Sequence, residues 1–98
     1  MTTGSCVVTG GCVESPHYGS GNYDNNEACT ITFQQGGPIK FDGFNTELSY
    51  DKLTIGGAAY SGSTAPTEIV VQNGAAATWH SDTSVTQSGW RMCMGSGT

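Results

Sequence analysis

The feature that most constrains this chain is a set of four cysteines, Cys6, Cys12, Cys29 and Cys93, with no C-x-x-C pair among them. Structural zinc almost always uses closely spaced ligand pairs. These gaps point instead to two disulfides and an oxidising compartment. The composition explains why staples are needed. With 98 residues, 36% of them apolar, and 15 glycines, the chain is one domain with a thin core. Each disulfide would stabilise it by about 2–4 kcal/mol.

The hydrophobic pattern has the period of strands. Cys29, Ile31 and Phe33 fall on one face and Thr30 and Thr32 on the other. The same alternation appears in residues 39–41, 53–55, 68–71, 77–79 and 90–94, where Trp90, Met92 and Met94 oppose Arg91 and Cys93. No ten-residue stretch shows a helical period. Turn clusters separate the runs at residues 9–11, 36–38, 56–57, 61–63 and 73–74. Seven to nine short strands at this spacing predict an all-β sandwich or barrel, and Asn73-Gly74 between apolar runs signals a hairpin. The expected core is Ile31, Phe33, Phe41, Leu53, Ile55, Val71, Trp79 and Trp90, with Thr30, Thr32, Lys40 and Arg91 outside.

Charge and hydropathy narrow the partners. A net charge of −5 argues against nucleic acid and anionic membranes. No apolar run approaches the length of a membrane helix, so no membrane insertion is expected. The opening Met1-Thr2-Thr3 lacks the features of a secretory leader. Because the cysteines imply secretion to the cell surface or beyond, the chain reads as an excised piece in which Met1 is a start-codon addition. Residues 1–5 then form an extension, 6–94 the domain, and 95–98 a linker or tail.

One segment is more specific. Gly11-Cys-Val-Glu-Ser-Pro16, followed by Tyr18, Tyr23, Asn25-Asn26 and the strand from Cys29 to Phe33, resembles the opening of a CUB domain. The likeness continues in order through Phe41-Asp-Gly-Phe-Asn-Thr-Glu47, Tyr50-Asp-Lys-Leu-Thr-Ile55, Ser81-Asp82 and Ser88-Gly-Trp90. It spans about residues 6 to 94. There are departures: Gly19 and Asp24 replace the usual prolines after the tyrosines, and the tyrosines stand one residue further apart than usual. The loop from Glu47 to Tyr50 is short. The family's second cysteine pair is missing, while Cys12 and Cys93 are extra. The resemblance implies a compact jelly-roll β-sandwich of two antiparallel sheets.

Strand parity then chooses among the three possible disulfide pairings. Cys29 faces inward with Ile31 and Phe33. Cys93 faces outward, and so does Cys12, because Val13 takes the inward place in the motif. Outward pairs with outward, giving Cys12–Cys93 and leaving Cys6–Cys29, which is also the pairing the resemblance implies.

The chemistry lies in the acids. Glu47, Asp51 and Asp82 fall where many CUB domains place calcium-binding carboxylates. Calcium requires six to eight oxygens, which three acids from separate loops, Ser84 and nearby backbone could help to supply, with Tyr50 bracing a carboxylate. Spacing alone would leave these as solvated surface acids; the motif match gives them a role. The resemblance implies a calcium-dependent protein-recognition or adhesion module of a larger secreted or surface protein. A carboxylate at its site would accept Lys or Arg from a partner, within a rim of Asn45, Tyr50 and His80.

Two rival readings are a carbohydrate-binding module and a structural spacer without a ligand. Tyr18 and Tyr23 are the candidates for stacking on sugars, since Trp79 and Trp90 have inward parity. Catalysis is not expected. His17 and His80 stand in turn-rich contexts typical of surface residues, and there is no Gly-x-Ser-x-Gly elbow.

Overall fold

The computed structural model describes residues 2–4, 6–34, 36–66 and 69–94, with the side chains of Thr2, Thr3 and Thr9 left aside. These residues form ten strands and no helix: β1 (Thr2–Gly4), β2 (Val7–Thr9), β3 (Cys12–Glu14), β4 (Ala28–Thr32), β5 (Gly37–Asn45), β6 (Lys52–Ile55), β7 (Ala58–Tyr60), β8 (Ile69–Val71), β9 (Ala76–His80) and β10 (Gly89–Met94). The extra strands beyond the seven to nine expected are short, among them β1 within the predicted extension. The predicted Glu68 start of the β8 run and the 95–98 tail lie outside the described residues.

Two antiparallel five-stranded sheets result, ordered β1-β4-β9-β6-β7 and β2-β3-β10-β5-β8. After β3 the chain crosses from sheet to sheet at nearly every connection, so sequence neighbours face each other across the core. The hairpins are β2–β3 and β6–β7. The second turns on Gly56 and Gly57, with φ of 59° and 88°, the paired positive values that a type I′ turn demands and glycine supplies. Asn73-Gly74 does not make the predicted hairpin. It carries the chain from β8 in one sheet to β9 in the other. The turn closes with Ala75 N–H donating to Gln72 C=O at 3.0 Å, and only Gly74 of the two central residues has positive φ. That is type II geometry, which lacks the twist that keeps hairpin strands paired.

The alternation in the sequence is the alternation in space. In β4, Cys29 and Ile31 are buried while Ala28, Thr30 and Thr32 are exposed, and β9 repeats the pattern around Ala77 and Trp79. Trp79 and Trp90, one from each sheet, meet edge-on with ring centroids 5.8 Å apart. Phe41 is the exception among the expected core residues, being only partly buried. A bulge sets this: Arg91 opposes Gly43 and Met92 opposes Phe41, so Asp42 has no residue across from it. The extra residue puts Phe41 and Phe44 on the same face, and Phe44 takes the buried place. It also turns Asp42 outward, where its carboxylate lies 2.9 Å from the Arg91 guanidinium.

Both disulfides have the predicted pairing. Cys12 and Cys93 stand directly opposite on β3 and β10, closing a separation of 81 residues. A loop of that length corresponds to about 4–5 kcal/mol in the chain-entropy model. The two disulfides fit an extracellular or otherwise oxidising location.

The Ser-Pro of the opening motif also has a structural task. Ser15 is fully buried, and its Oγ accepts from Trp90 N–H at 3.0 Å. Gly89 makes this possible: its φ is 92°, and a Cβ there would collide with the Ser15 hydroxyl.

Truncating the central indole should therefore be severe. Trp90→Ala is expected to lower unfolding free energy by about 3–5 kcal/mol in urea titrations. Phe41→Ala should cost distinctly less, and equal losses would contradict the bulge assignment.

Candidate metal centre

The site is built where the loops at one end of the sandwich converge. β5 ends at Asn45, and Thr46 anchors the exit: its N–H donates to Gly62 C=O, and its Oγ1 accepts from Gly62 N–H, each at 2.9 Å. The next five residues make one tight turn, with Tyr50 N–H and Asp51 N–H both donating to Glu47 C=O at 3.2 and 3.0 Å. Ser49 at its apex has a φ of 70°. The short Glu47–Tyr50 loop, a departure from the CUB pattern, thus brings the first two acids together. The third arrives from β9, whose path continues past His80 as Asn26 N–H donates to Asp82 C=O at 2.7 Å.

Glu47, Asp51 and Asp82 each offer an oxygen, and these atoms all lie within 4.8 Å of one another. Asp51 is the most enclosed, with 0% exposure. Its Oδ1 accepts from Asp82 N–H at 2.8 Å, and its Oδ2 accepts from the Tyr23 hydroxyl at 2.5 Å. The same Tyr23 oxygen accepts from Glu47 N–H at 3.2 Å. Asp82 in turn accepts from Ser84 N–H at 3.2 Å. Among the described residues, the buried Glu47 Oε1 has no hydrogen-bond partner.

The protein's three Lys and Arg residues leave this negative charge unbalanced. Arg91 pairs with Glu14 and Asp42, Lys40 and Lys52 are exposed, and among the described residues no ion pair reaches the three acids. Burial raises Glu47's carboxyl above the ordinary glutamate range, and the neighbouring charges of Asp82 and Asp51 push the same way. Burial likewise dominates at Tyr23, where the hydrogen bond to Asp51 also raises the phenol. An all-oxygen cluster of carboxylates, one buried oxygen of which has no partner among the described residues, could hold a metal ion, and oxygen donors suit hard cations best.

The tyrosine that braces a carboxylate is Tyr23, not Tyr50. Tyr23 is 1% exposed, with its ring edge against Trp79 at 4.9 Å, so it also cannot be the sugar-stacking surface suggested by its loop position. Tyr50 is exposed beside Asp51. Asn45 sits at the end of β5 and shares a hollow with Glu47. His80 lies on the outer face of its sheet, opposite Lys52 and Ala28 in the strand register.

Glu27, which its sequence context did not single out, is buried nearby. It accepts from the Trp79 indole N–H at 3.1 Å and from Asp24 N–H at 2.8 Å, and burial raises it above the usual range. Its only sequence signal is its position just ahead of the alternating β4 strand, which does not distinguish a buried acid from a surface one.

No protein-family model matches the chain, and no curated protein is significantly similar to it. The geometry must carry the functional reading.

Two outcomes follow. Tyr23→Phe removes a donor from buried Asp51 and an acceptor from Glu47 N–H, and should lower stability by about 1–3 kcal/mol in denaturant titrations. The raised Glu47 and Glu27 carboxyls hold protons more readily folded than unfolded. Their contribution is therefore complete below the ordinary value of 4.5 and is lost as pH rises through the raised values. In chelator, the melting temperature should rise as pH falls toward the ordinary value of 4.5, and Glu47→Gln should flatten that rise.

Proposed function

We propose that Glu47, Asp51 and Asp82 hold one calcium ion, and that the loaded site lets the domain recognise a protein partner through a Lys or Arg side chain. The observation that carries this reading is the convergence within 4.8 Å of three carboxylates, two from the turn over residues 47–51 and one from the loop after β9, with no ion pair reaching them among the described residues. Such an arrangement is unfavourable until a cation enters. Calcium tolerates irregular oxygen cages of this kind, whereas magnesium demands a tighter octahedron.

The ordered CUB-type motifs support the same assignment, since all three acids stand at matching positions. Three carboxylates on a dication leave one net negative charge. An outward-facing oxygen can then accept an ammonium or guanidinium in a charge-assisted hydrogen bond, beside Asn45 and Tyr50. In this reading the domain is a calcium-dependent adhesion or interaction module of a secreted or surface protein.

Thermal melting with added calcium tests the ion. Binding only the native state stabilises it by RT ln(1 + [Ca]/Kd), about 2.7 kcal/mol at a hundredfold excess over Kd. The melting temperature should rise with calcium, fall in chelator and respond weakly to magnesium. Asp82→Ala should remove the calcium response and keep the fold. An unchanged melting temperature at millimolar calcium would leave a structural spacer as the better reading.

A further inference from the structure

The acidic site has apolar neighbours that its metal chemistry does not need. Six large hydrophobic side chains are exposed among the described residues: Val7, Val8, Leu48, Tyr50, Val70 and Val85. The first two lie on β2 and Val70 on β8, strands at the edges of their sheet. The other three lie within three residues of an acid in sequence. Leu48 comes directly after Glu47 and is 66% exposed; Tyr50 comes directly before Asp51 and is 63% exposed; Val85 is three residues beyond Asp82 and 52% exposed.

Their presentation is built rather than incidental. Val85 has a φ of 63°, a conformation that a β-branched residue adopts only when its surroundings impose it. Two residues on, Gln87 C=O accepts from Tyr23 N–H at 3.2 Å, which ties this loop to the tyrosine bracing the site. Leu48 and Gln87 border one hollow of about 450 Å³ that also touches Glu47 and Asn45.

We infer that Leu48, Tyr50 and Val85 form an apolar collar around the acidic site, and that the domain's partner is a protein segment whose basic side chain is flanked by apolar residues. This rests on the calcium reading above and adds to it what sets the choice of partner. Charge complementarity fixes the centre, because the loaded site keeps a net negative charge and among the described residues no ion pair engages its acids. The collar fixes the surroundings. A lysine in a polar segment would satisfy the carboxylate and leave three apolar groups in water, whereas a flanked lysine removes both penalties. A phospholipid surface is disfavoured, since anionic headgroups would meet a residual negative charge on a chain of net charge −5.

Two peptides separate these contributions: acetyl-Leu-Lys-Leu-amide and acetyl-Ser-Lys-Ser-amide, titrated into calcium-loaded protein and followed by NMR shifts of the Leu48 and Val85 methyls. The leucine-flanked peptide should bind about tenfold tighter, and chelator should abolish binding of both. The variant carrying Leu48→Ser and Val85→Asn should keep the full calcium shift in melting temperature and lose the tenfold preference; asparagine also relieves the strained backbone at 85. Equal binding of the two peptides, or a preference that survives in the variant, would overturn the collar while leaving the calcium site standing. An absent calcium shift would instead remove the calcium reading itself. Calcium-dependent sedimentation with phosphatidylserine vesicles, without peptide preference, would overturn the protein partner in favour of a lipid surface.

Discussion

A carboxylate with no exposed surface is expensive unless its oxygens are satisfied, and Asp51 is such a group. Much of the architecture around it can be understood as the means of satisfying it. The Tyr23 hydroxyl takes one oxygen and the Asp82 backbone the other. Each donor is then constrained by what lies behind it. Tyr23 stands against Trp79, and Trp79 meets Trp90 across the two sheets. The position of Asp51 is thereby tied to the packing of the core. The Asp82 donor fixes the start of the loop after β9, and with it the third carboxylate. Glu27 plays a related part on another side, accepting the Trp79 indole N–H and orienting that ring. Polar atoms thus determine how the central aromatics are set, and the aromatics determine where the acids meet.

The strands were legible because period-2 alternation survives in nearly every run. Cys29–Ile31, Leu53–Ile55 and Ala77–Trp79 all face inward as their parity required, and the same parity paired Cys12 with Cys93. What broke the pattern was local geometry without a side-chain signal. The bulge at Asp42 depends on how β5 registers against β10; Gly43 inside the run is its one sequence signal, and a glycine does not say that Phe44 rather than Phe41 will be buried. Asn73-Gly74 has the residues of a hairpin, yet it sits in a type II turn at a sheet-to-sheet crossing. Its conformation follows from where β8 and β9 must go.

The acids show the limit most clearly. Glu47 and Asp51 share one turn and Asp82 lies far along the chain, a spacing that alone resembles that of ordinary surface acids, and only the order of the surrounding motifs singled them out. Tyr50 looked like the brace because it adjoins Asp51 in sequence. The brace is Tyr23, which the fold delivers from another loop. Glu27 escaped notice for the same reason, since a buried glutamate is recognisable only once its partners Trp79 and Asp24 are in place.

In the proposed reading the metal completes what folding leaves unresolved. Folding gathers three carboxylates, raises one of them by burial and like charge, and among the described residues gives them no ion pair. A cation that accepts irregular oxygen coordination removes that repulsion and leaves a charge suited to a basic partner. Calorimetric titration of calcium into the metal-free protein tests this most directly. One ion per chain should bind with a dissociation constant at or below about 1 mM, the range of extracellular calcium modules, and Asp82→Ala should eliminate the heat. A flat titration of the wild-type protein at about 10 mM calcium, well above that range, would contradict it.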